Sequence, residues 1–486
     1  MGPSNLVLVA VWHFLGQQSV GVAVFWAVVI FGAVRFYADP LRHVPGPFVA
    51  RITPLWLWYI ARKGNECSTI AILHKKHGPV VRVAPNEVDI SDGAAMHQIY
   101  AKNGGLLKSP NYRNYDVDGF ATIFSVVDPA RRATRTKAVA PLFAQQAIMK
   151  GKAVVMKIVD DAVAELGRRK ADANGKPVDL LTLFRSLALN ASSSYLFGEP
   201  FGDVREAKLE VAAFVNDFAI AGSFFYLPGW IYDRVSHLSA NFSKNKQDVA
   251  TSNAIVQKFA TRIVDGSIIK EKEEGKTYQG RLLKAGISRD ETIAQVKDIV
   301  FAGTDATGLN MSMLCFYLRQ FPEKYDRARK EVLDNPDVDA QSLPYLSGVV
   351  KETLRLSMAN PSRLPRVVSS TGLQVDGLPT LPAGTGVGLS AYMLHHNPYV
   401  FSNPREFLPE RWLAPSPEML RDSFYFGAGP RQCIARNLAS AELLWLAEAL
   451  IRSGVLNGSK PTEDKIEILE WFNSSVVSGK IELIWH

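Results

Sequence analysis

The chain has 486 residues, of which 47% are hydrophobic and 10% aromatic, enough for a large folded core, and this composition excludes an intrinsically disordered protein. Its three cysteines, Cys67, Cys315 and Cys433, lie far apart and exclude a small disulfide-rich domain. The net charge of +8 fits an anionic membrane surface or an acidic protein partner; nucleic acid is the least favoured, because no Lys/Arg stripe alternates with aromatic residues.

The N-terminal segment is strongly apolar. Residues 5–37 carry one charged side chain, Arg35, and Ser19–Tyr37 is close to the roughly 20 apolar residues that cross a membrane. A cleaved signal peptide is the alternative, but it fits less well because no basic segment precedes the run and no small-residue cleavage site follows it. Arg35, Arg42 and Arg51 follow the span, so the body is expected on the cytoplasmic side. We predict a single-pass anchor over 1–37, a Pro-rich hinge over 38–48 and a folded body over 49–486.

The body begins with two predicted short strands, in the alternating apolar residues of Gly78–Pro85 and Val88–Ile90. The stretch Leu106–Val127 is rich in Tyr and Phe without a regular period, which predicts a loop region. Its aromatic residues either pack in the core or contact a ligand, and the sequence does not distinguish these two roles.

A basic helical run follows and ends near Pro141. Four cations in seven residues are typical of a solvated helix face: Arg131, Arg132, Arg135 and Lys137. The pattern from Lys150 to Ala240 is largely helical, with a break at Leu196–Gly202, since its glycines and proline do not suit a helix interior. The apolar segment Phe224–Trp230 is expected in the core at a turn between helices.

One long helix is predicted from Ser288 to Leu318, because Ser288 and Glu291 form a capping box at its start. Within it, Gly303 costs about 1 kcal/mol relative to alanine, which suggests that another group approaches the backbone closely. Asp305 is expensive to bury without a partner. Two interpretations fit these residues equally well. One is a kinked helix whose buried polar groups all have hydrogen-bond partners, and the other is a functional site.

Glu352 and Arg355 lie three residues apart on one face of a further predicted helix, Val349–Leu356. An exposed pair of this kind is common and contributes little stability. Farther along, His395 and His396 are adjacent and tend to point to different sides, so a structural or cofactor-edge role for His395 is favoured over a metal site.

Cys433 ends a loop rich in Gly and Pro, directly before the predicted helix Ile434–Ser453. Unpaired backbone N–H groups and the helix dipole favour a thiolate at that position. Gly427 and Gly429 let the backbone fold close to the sulfur, and Phe426 can shield it from water. Such a thiolate suits an axial ligand of heme iron, whereas an ordinary buried cysteine is the alternative.

The segment Phe426–Ala435 resembles the heme-binding signature of the cytochrome P450 family, Phe-x-x-Gly-x-Arg-x-Cys-x-Gly, with Ala435 in place of the last glycine. Three more segments resemble family motifs in the family's order: Ala302–Thr307, Glu352–Arg355 and Pro409–Arg411. The resemblance extends from the Pro-rich hinge to Ser453. It implies a mainly α protein with a large helical catalytic domain, a small β-rich region and an N-terminal transmembrane helix.

The resemblance also implies roles for single residues around heme b. Cys433 would be the iron ligand, while Arg366, Arg431 and Arg132 would hold the heme propionates, although the family commonly has Trp or His at the last of these positions. Other cofactor-binding residues are expected in the segments Phe426–Ala435 and Ala302–Thr307: Phe426, Gly429, Ala302 and Gly303. Glu352, Arg355 and Arg411 would form a buried charge network that locks the segment before Cys433.

Asp305 matches the acid that the family uses for proton delivery during oxygen activation. The alcohol that normally follows it is replaced by Ala306, so Thr307 is the nearest following hydroxyl. Thr304, an ordered water and a hydroxyl of the substrate are the alternatives.

A cytochrome P450 monooxygenase uses O2 and electrons from an NADPH–cytochrome reductase to hydroxylate, epoxidise or similarly oxidise a lipophilic small molecule. The motifs look most like those of fungal members that act on secondary metabolites, at the endoplasmic reticulum membrane with the catalytic domain in the cytoplasm. Because Ala306 departs from the family, oxidative coupling, rearrangement or dehydration at the same cofactor is an alternative. A heme-binding protein without turnover is another.

Overall fold

The computed structural model describes residues 20–205, 211–232, 234, 246–269 and 275–485, in two compact units, Met1–Pro45 and Gly46–His486. In the first unit, helix α1 spans Val20–Tyr37 and exposes apolar side chains, among them Phe25 at 61% and Ile30 at 60%. Residues 1–19 of the predicted anchor lie outside the described residues.

The second unit is mainly α-helical. Its helices are, in chain order, α2 (Phe48–Ile52), α3 (Leu55–Lys63), α4 (Glu66–His77), α5 (Pro129–Val139), α6 (Gln145–Asp172), α7 (Leu180–Phe197), α8 (Ala212–Gly222), α9 (Lys246–Ile269), α10 (Tyr278–Lys284), α11 (Arg289–Gln320), α12 (Pro322–Asp334), α13 (Pro344–Ser357), α14 (Ala391–His395), α15 (Pro417–Asp422) and α16 (Arg436–Ser453).

The β structure is small. Its strands are β1 (Val80–Ala84), β2 (Glu87–Ile90), β3 (Leu107–Lys108), β4 (Val178–Asp179), β5 (Arg366–Val367), β6 (Gly386–Gly388), β7 (Ser459–Pro461), β8 (Ile468–Leu469), β9 (Ser475–Val476) and β10 (Glu482–Trp485). The largest sheet has the order β1-β2-β6-β5-β3, with β2 and β6 parallel and the other pairs antiparallel. The other sheets are β4-β10-β7 and the pair β8-β9.

Helix α11 forms the centre of the core and packs along α7, with α6, α13 and α16 around them. Gly308 allows the close contact with α7, because a Cβ there would lie 2.7 Å from the Cα of Arg185. In the described part of the chain, α11 has the length and apolar composition of a membrane span, but 78% of that window is buried, as in a core helix.

The predicted long helix is confirmed, and Ser288 caps it by accepting a hydrogen bond from the backbone N–H of Glu291 at 3.3 Å. The reciprocal half of the capping box is absent here, because the Glu291 carboxylate binds Arg135 of α5 instead, with 2.8 Å between Nη2 and Oε2. The prediction of a fully solvated basic face on α5 is therefore wrong for Arg135, which is buried.

The two predicted strands are confirmed as β1 and β2, but every residue of β1 is buried, so this strand is covered on both faces. The predicted loop region Leu106–Val127 contains β3 and a short 3-10 helix, Pro110–Tyr115, and is otherwise irregular. The predicted helix break is confirmed at Gly198, which ends α7 with φ of +87°.

Candidate active site

The loop that carries Cys433 folds back tightly on itself. A 3-10 turn, Gly429–Arg431, precedes the cysteine, whose backbone N–H donates to the carbonyl oxygen of Phe426 at 2.9 Å. Gly429 has φ of +68°, and a Cβ at this position would lie 1.8 Å from the carbonyl oxygen of Tyr100. Glycine is therefore required here both by the backbone conformation and by the close passage of another segment.

Cys433 has an exposed side chain, unlike Cys67 and Cys315, which are buried. Burial nevertheless raises the pKa of the Cys433 thiol, because the surrounding protein disfavours charge more than the Ala435 N–H and Arg436 favour it. Helix α16 begins only at Arg436, three residues after the sulfur. The helix therefore starts two residues later than the predicted Ile434, and the role of the Cys433 sulfur as an iron ligand stays a prediction.

Small residues form the accessible face of α11. Ala302 is exposed, Gly303 and Ala306 are partly buried, and Ala302 and Ala306 lie one turn apart on the same side. A Cβ on Gly303 would meet the Ser192 hydroxyl of α7 at 3.0 Å. This is the close approach that the mid-helix glycine predicted.

The hydroxyl groups of Thr304 and Thr307, which lie near Asp305 in the sequence, differ in their burial and hydrogen bonding. Thr304 is fully buried and donates to the carbonyl oxygen of Val300 at 2.5 Å, so its hydroxyl is engaged within the helix. Thr307 is 7% exposed and lies one turn after Gly303. The role of Thr307 in proton delivery with Asp305 stays a prediction.

Asp305 is buried and forms an ion pair with Arg185 of α7, with 2.5 Å between Oδ1 and Nη2. Burial raises the pKa of Asp305 above its ordinary value, although Arg185 acts in the opposite direction. Arg185 thus fixes the position of the Asp305 carboxyl group, whose role in proton delivery stays a prediction. This arginine was missed in the sequence, because α7 gives no local sign that it packs against α11.

The predicted charge network is assembled from three segments. Glu352 and Arg355 are fully buried and joined by two hydrogen bonds of 2.7 and 2.9 Å, and Arg411 Nε lies 3.1 Å from the same carboxylate. Arg355 also donates to the carbonyl oxygens of His395 and Pro404 at 2.8 and 2.6 Å. Each charge in this network thus meets an opposite charge or a carbonyl group, as buried ions require.

Two further groups are bonded to the network, and His395 also binds the segment directly before the cysteine loop. The indole N–H of Trp412, where the family more often has phenylalanine, donates to Glu352 Oε2 at 2.8 Å. His395 is bonded to the Arg355 carbonyl oxygen at 3.0 Å and accepts the backbone N–H of Phe424 at 3.0 Å. Burial lowers the pKa of His395 well below its ordinary value, so the ring stays neutral and serves as a structural link.

Four cations converge beside the loop: Arg132, Arg366, Arg431 and Lys108, the last of which the sequence analysis missed. Arg431 donates to the carbonyl oxygens of Val126 and Val127 at 2.7 and 2.8 Å. Burial, followed by the charges of Arg132 and Arg366, lowers the pKa of Arg431 to about 10. This is a cluster of like charges that repel one another.

The contacts of the cluster are with neutral groups. Arg366 is 3% exposed and donates to the Pro365 carbonyl oxygen at 3.0 Å and the Tyr112 hydroxyl at 3.4 Å. In the described part of the chain, Nε of Arg132 is buried without a hydrogen-bond partner. Such a cluster fits a ligand that carries carboxylates.

The residues in place fit heme b, which needs an axial donor, cations for two carboxylates and room beside a flat ring. Cys433 offers the accessible sulfur, Arg132, Arg366 and Arg431 the positive charge, and the Ala302 face of α11 the small side chains. Within the described residues there is no group of three or more His, Cys, Asp or Glu that could hold a separate metal ion.

Comparisons with known proteins agree with this arrangement. The cytochrome P450 family model matches residues 45–472. The chain is 36% identical to the cytochrome P450 monooxygenase mfmF of Annulohypoxylon moriforme over 93% of this chain and 96% of that protein. It is 28% identical to pisatin demethylase of Fusarium vanettenii over 91% of this chain and 88% of that one.

Among solved structures, a crystal structure of a cytochrome P450 (CYP102L1) superimposes with a TM-score of 0.70 at 16% identity, covering 87% of this chain and 98% of that one. This likeness supports the fold. The family match and the relative at 36% identity show that the chain belongs to the cytochrome P450 family and is a heme-binding monooxygenase.

Proposed function

We propose that this monooxygenase is anchored in the endoplasmic reticulum membrane and oxidises a lipophilic secondary metabolite with electrons from an NADPH–cytochrome reductase. The observation that carries the catalytic part is the accessible thiol of Cys433 beside a cluster of cations suited to heme carboxylates. Heme with a thiolate ligand supplies oxygen activation and insertion into unactivated C–H bonds. The chain's own residues bind the cofactor, exclude water and hold a proton at Asp305.

The substrate is proposed to be lipophilic because aromatic rings close the region next to the Ala302 face. Phe301, the residue before Ala302, stacks on Phe218 of α8 with 3.9 Å between ring centroids. Phe218 in turn stacks on Tyr115 of the predicted loop region, which lies 5.5 Å from Phe124. An apolar, aromatic lining favours planar or apolar molecules over ions. One relative is named pisatin demethylase, so an oxidative demethylation is among the reactions we propose to test.

The reductase is proposed to dock on the basic surface of α5 and the start of α16. Arg131 and Lys137 on α5 are exposed, and so is Arg436, three residues beyond Cys433. Exposed cations near the cofactor's sulfur ligand would attract an acidic electron donor and orient it.

Membrane association is proposed from exposed apolar side chains in each unit. In α1 these include Val24, Phe25 and Ile30. In α2 and α3 they form two pairs, each spaced by one helical turn: Phe48 with Ile52 and Leu55 with Tyr59. Exposed apolar patches are typical of interaction sites, and Arg51, Arg62 and Lys63 of the same two helices suit anionic lipid headgroups.

A second function, oxidative coupling, rearrangement or dehydration, is favoured by one observation. Ala306 occupies the position of the family's alcohol on the accessible face of α11, and Thr304 is bonded to its own helix. A proton path that depends on Thr307 or on a substrate hydroxyl would suit a substrate that takes part in its own activation.

The test combines spectroscopy and isotope labelling. Reduced, CO-treated protein should show the absorbance of thiolate-ligated heme, and Cys433→Ser should lose it; an unchanged spectrum in that variant would remove the ligand assignment. Metabolites that shift the Soret band would then be turned over with reductase, NADPH and ¹⁸O₂. Label in the product, or in formaldehyde released by an oxidative demethylation, supports monooxygenation. A product that requires O2 but carries no label and releases no labelled formaldehyde indicates coupling, and turnover without O2 indicates rearrangement or dehydration.

A further inference from the structure

Tyr115 lies inside a cluster of aromatic rings beside the Ala302 face of α11. Its ring packs against phenylalanine rings at centroid distances of 5.4 to 5.8 Å: Phe124, Phe218, Phe225 and Phe472. Because Phe218 also stacks on Phe301, the residue before Ala302, Tyr115 is one ring farther from α11 than Phe218 is. Aromatic rings pack well without a polar group, so the cluster itself requires a ring at residue 115 but no hydroxyl.

The hydroxyl group of Tyr115 has no hydrogen-bond partner within the described residues, although the residue is only 3% exposed. A buried hydroxyl without a partner lowers stability, because the group gives up its bonds to water and gains none in return. Burial also raises the pKa of Tyr115 well above its ordinary value, so the hydroxyl keeps its proton and can donate it to an acceptor. A phenylalanine would pack equally well and avoid the loss of stability.

Two other tyrosines of the same cluster use their hydroxyl groups inside the protein. The hydroxyl of Tyr112 accepts a hydrogen bond from Nη1 of Arg366 at 3.4 Å, and that of Tyr226 donates to Oε1 of Glu66 at 2.5 Å. The chain thus provides partners for these two hydroxyls, whereas the hydroxyl of Tyr115 is left available to another molecule.

Gly222, the last residue of α8, keeps the space beside the Tyr115 hydroxyl open. A Cβ at residue 222 would lie 3.0 Å from Oη of Tyr115 and 3.5 Å from the backbone nitrogen of Asn473. Any larger residue would therefore press on the hydroxyl. Since glycine lowers the stability of a helix relative to alanine, its presence fits a need for room at this point.

We infer that Tyr115 is a specificity-determining residue that donates a hydrogen bond to an oxygen atom of the substrate. The inference rests on the proposed function and narrows the substrate class to lipophilic molecules that already carry a hydroxyl or carbonyl group. A buried polar group that needs a partner discriminates against substrates that lack one. The substrate must then come from a reaction that installs or retains oxygen on the skeleton, and this enzyme oxidises the skeleton further.

The first test needs no ligand and measures the unfolding of the substrate-free holoenzyme in urea. Tyr115→Phe should have a midpoint equal to that of wild type or higher, because it removes a hydroxyl that has no partner. Tyr325→Phe is the matched control. Tyr325 is also buried, but its hydroxyl donates to Oδ1 of Asn457 at 2.8 Å, so this variant should have a lower midpoint.

The second test measures the binding of two probes, fluorene and fluorenone, from the shift of the Soret band. Both probes are flat aromatic molecules of similar shape, and only fluorenone has a carbonyl oxygen. Tyr115→Phe should bind fluorenone about three- to tenfold more weakly than wild type, the effect of one neutral hydrogen bond. It should bind fluorene as tightly as wild type or more tightly, and Tyr325→Phe should bind both probes as wild type does.

Three results would overturn the inference. One is a Tyr115→Phe midpoint as low as that of Tyr325→Phe, which would show that the hydroxyl is bonded within the protein. Another is an equal change in the affinities for fluorenone and fluorene in Tyr115→Phe, and the third is wild-type protein that does not bind fluorenone. Failure of the proposed function would instead appear as a missing thiolate–heme absorbance, which is a separate signal.

Discussion

The two buried charge clusters around the cysteine loop follow opposite principles. The network of Glu352, Arg355 and Arg411 is complete in itself, since each charge is paired or bonded to carbonyl groups. The cluster of Arg132, Arg366, Arg431 and Lys108 repels itself and leaves a guanidinium nitrogen without a partner among the described residues. The first is a scaffold that the polypeptide can build alone, whereas the second is built for a ligand.

Buried charge clusters are therefore of two kinds, which differ in whether their positive and negative charges balance. A balanced network predicts that any single removal destabilises the fold, because it strands a partner. An unbalanced cluster predicts that removal of one member relieves the protein and weakens ligand binding. Two signals on the holoenzyme, far-UV circular dichroism for the fold and Soret absorbance for the heme, distinguish the two cases.

Glu352→Gln is the change with the largest expected effect. It leaves Arg355 and Arg411 buried without their carboxylate and should cost about 3–5 kcal/mol of unfolding free energy. Both signals should be lost together at a lower temperature. Asp172→Asn, which removes the exposed pair with Arg168 at 2.6 Å, is the control and should cost less than about 1 kcal/mol. A Glu352→Gln protein as stable as this control would contradict the scaffold assignment.

Arg132→Met should separate the two signals. Heme loss should be up to about tenfold faster, as for one lost charge-assisted hydrogen bond, while the far-UV transition should fall only by the stability that the weaker heme binding removes. Arg135→Met on the same helix is the contrast, because its guanidinium pairs with Glu291 and its removal should shift both signals. If Arg132→Met instead behaves like Arg135→Met, the cluster is structural.

Trp412→Phe should give the smallest change. It removes one hydrogen bond to Glu352, whose Oε2 keeps its 2.9 Å bond from Arg355, so a cost of about 1–2 kcal/mol is expected. Urea unfolding measures it, with heme retention unaffected at low urea. Selective heme loss in this variant would show that the network also acts directly on the cofactor site.

The sequence predicted features that are local in the chain. The cysteine loop, the Glu352–Arg355 spacing and the cap at Ser288 are each specified by a few neighbouring residues, and the strands β1 and β2 follow from short apolar runs. The mainly α fold followed from the family resemblance that these motifs carry.

What the sequence could not predict depends on contacts between distant segments. Arg185 meets Asp305 only because α7 lies along α11, and Lys108 joins the cation cluster only because β3 pairs with β5. Neither residue stands in a recognisable motif. The signal for Lys108 in the sequence was a lysine within the aromatic-rich segment Leu106–Val127, and its burial depended on the pairing of β3 with β5.

The passage of Tyr100 over Gly429 limits how this enzyme can be redesigned. Because a single methyl group at residue 429 would collide with a main-chain oxygen, no side-chain rearrangement can accommodate one, and the segment around Tyr100 must shift as a whole. Mutant libraries aimed at new substrates should therefore leave this glycine unchanged. They should vary the aromatic residues described above beside Ala302, such as Phe218 and Tyr115.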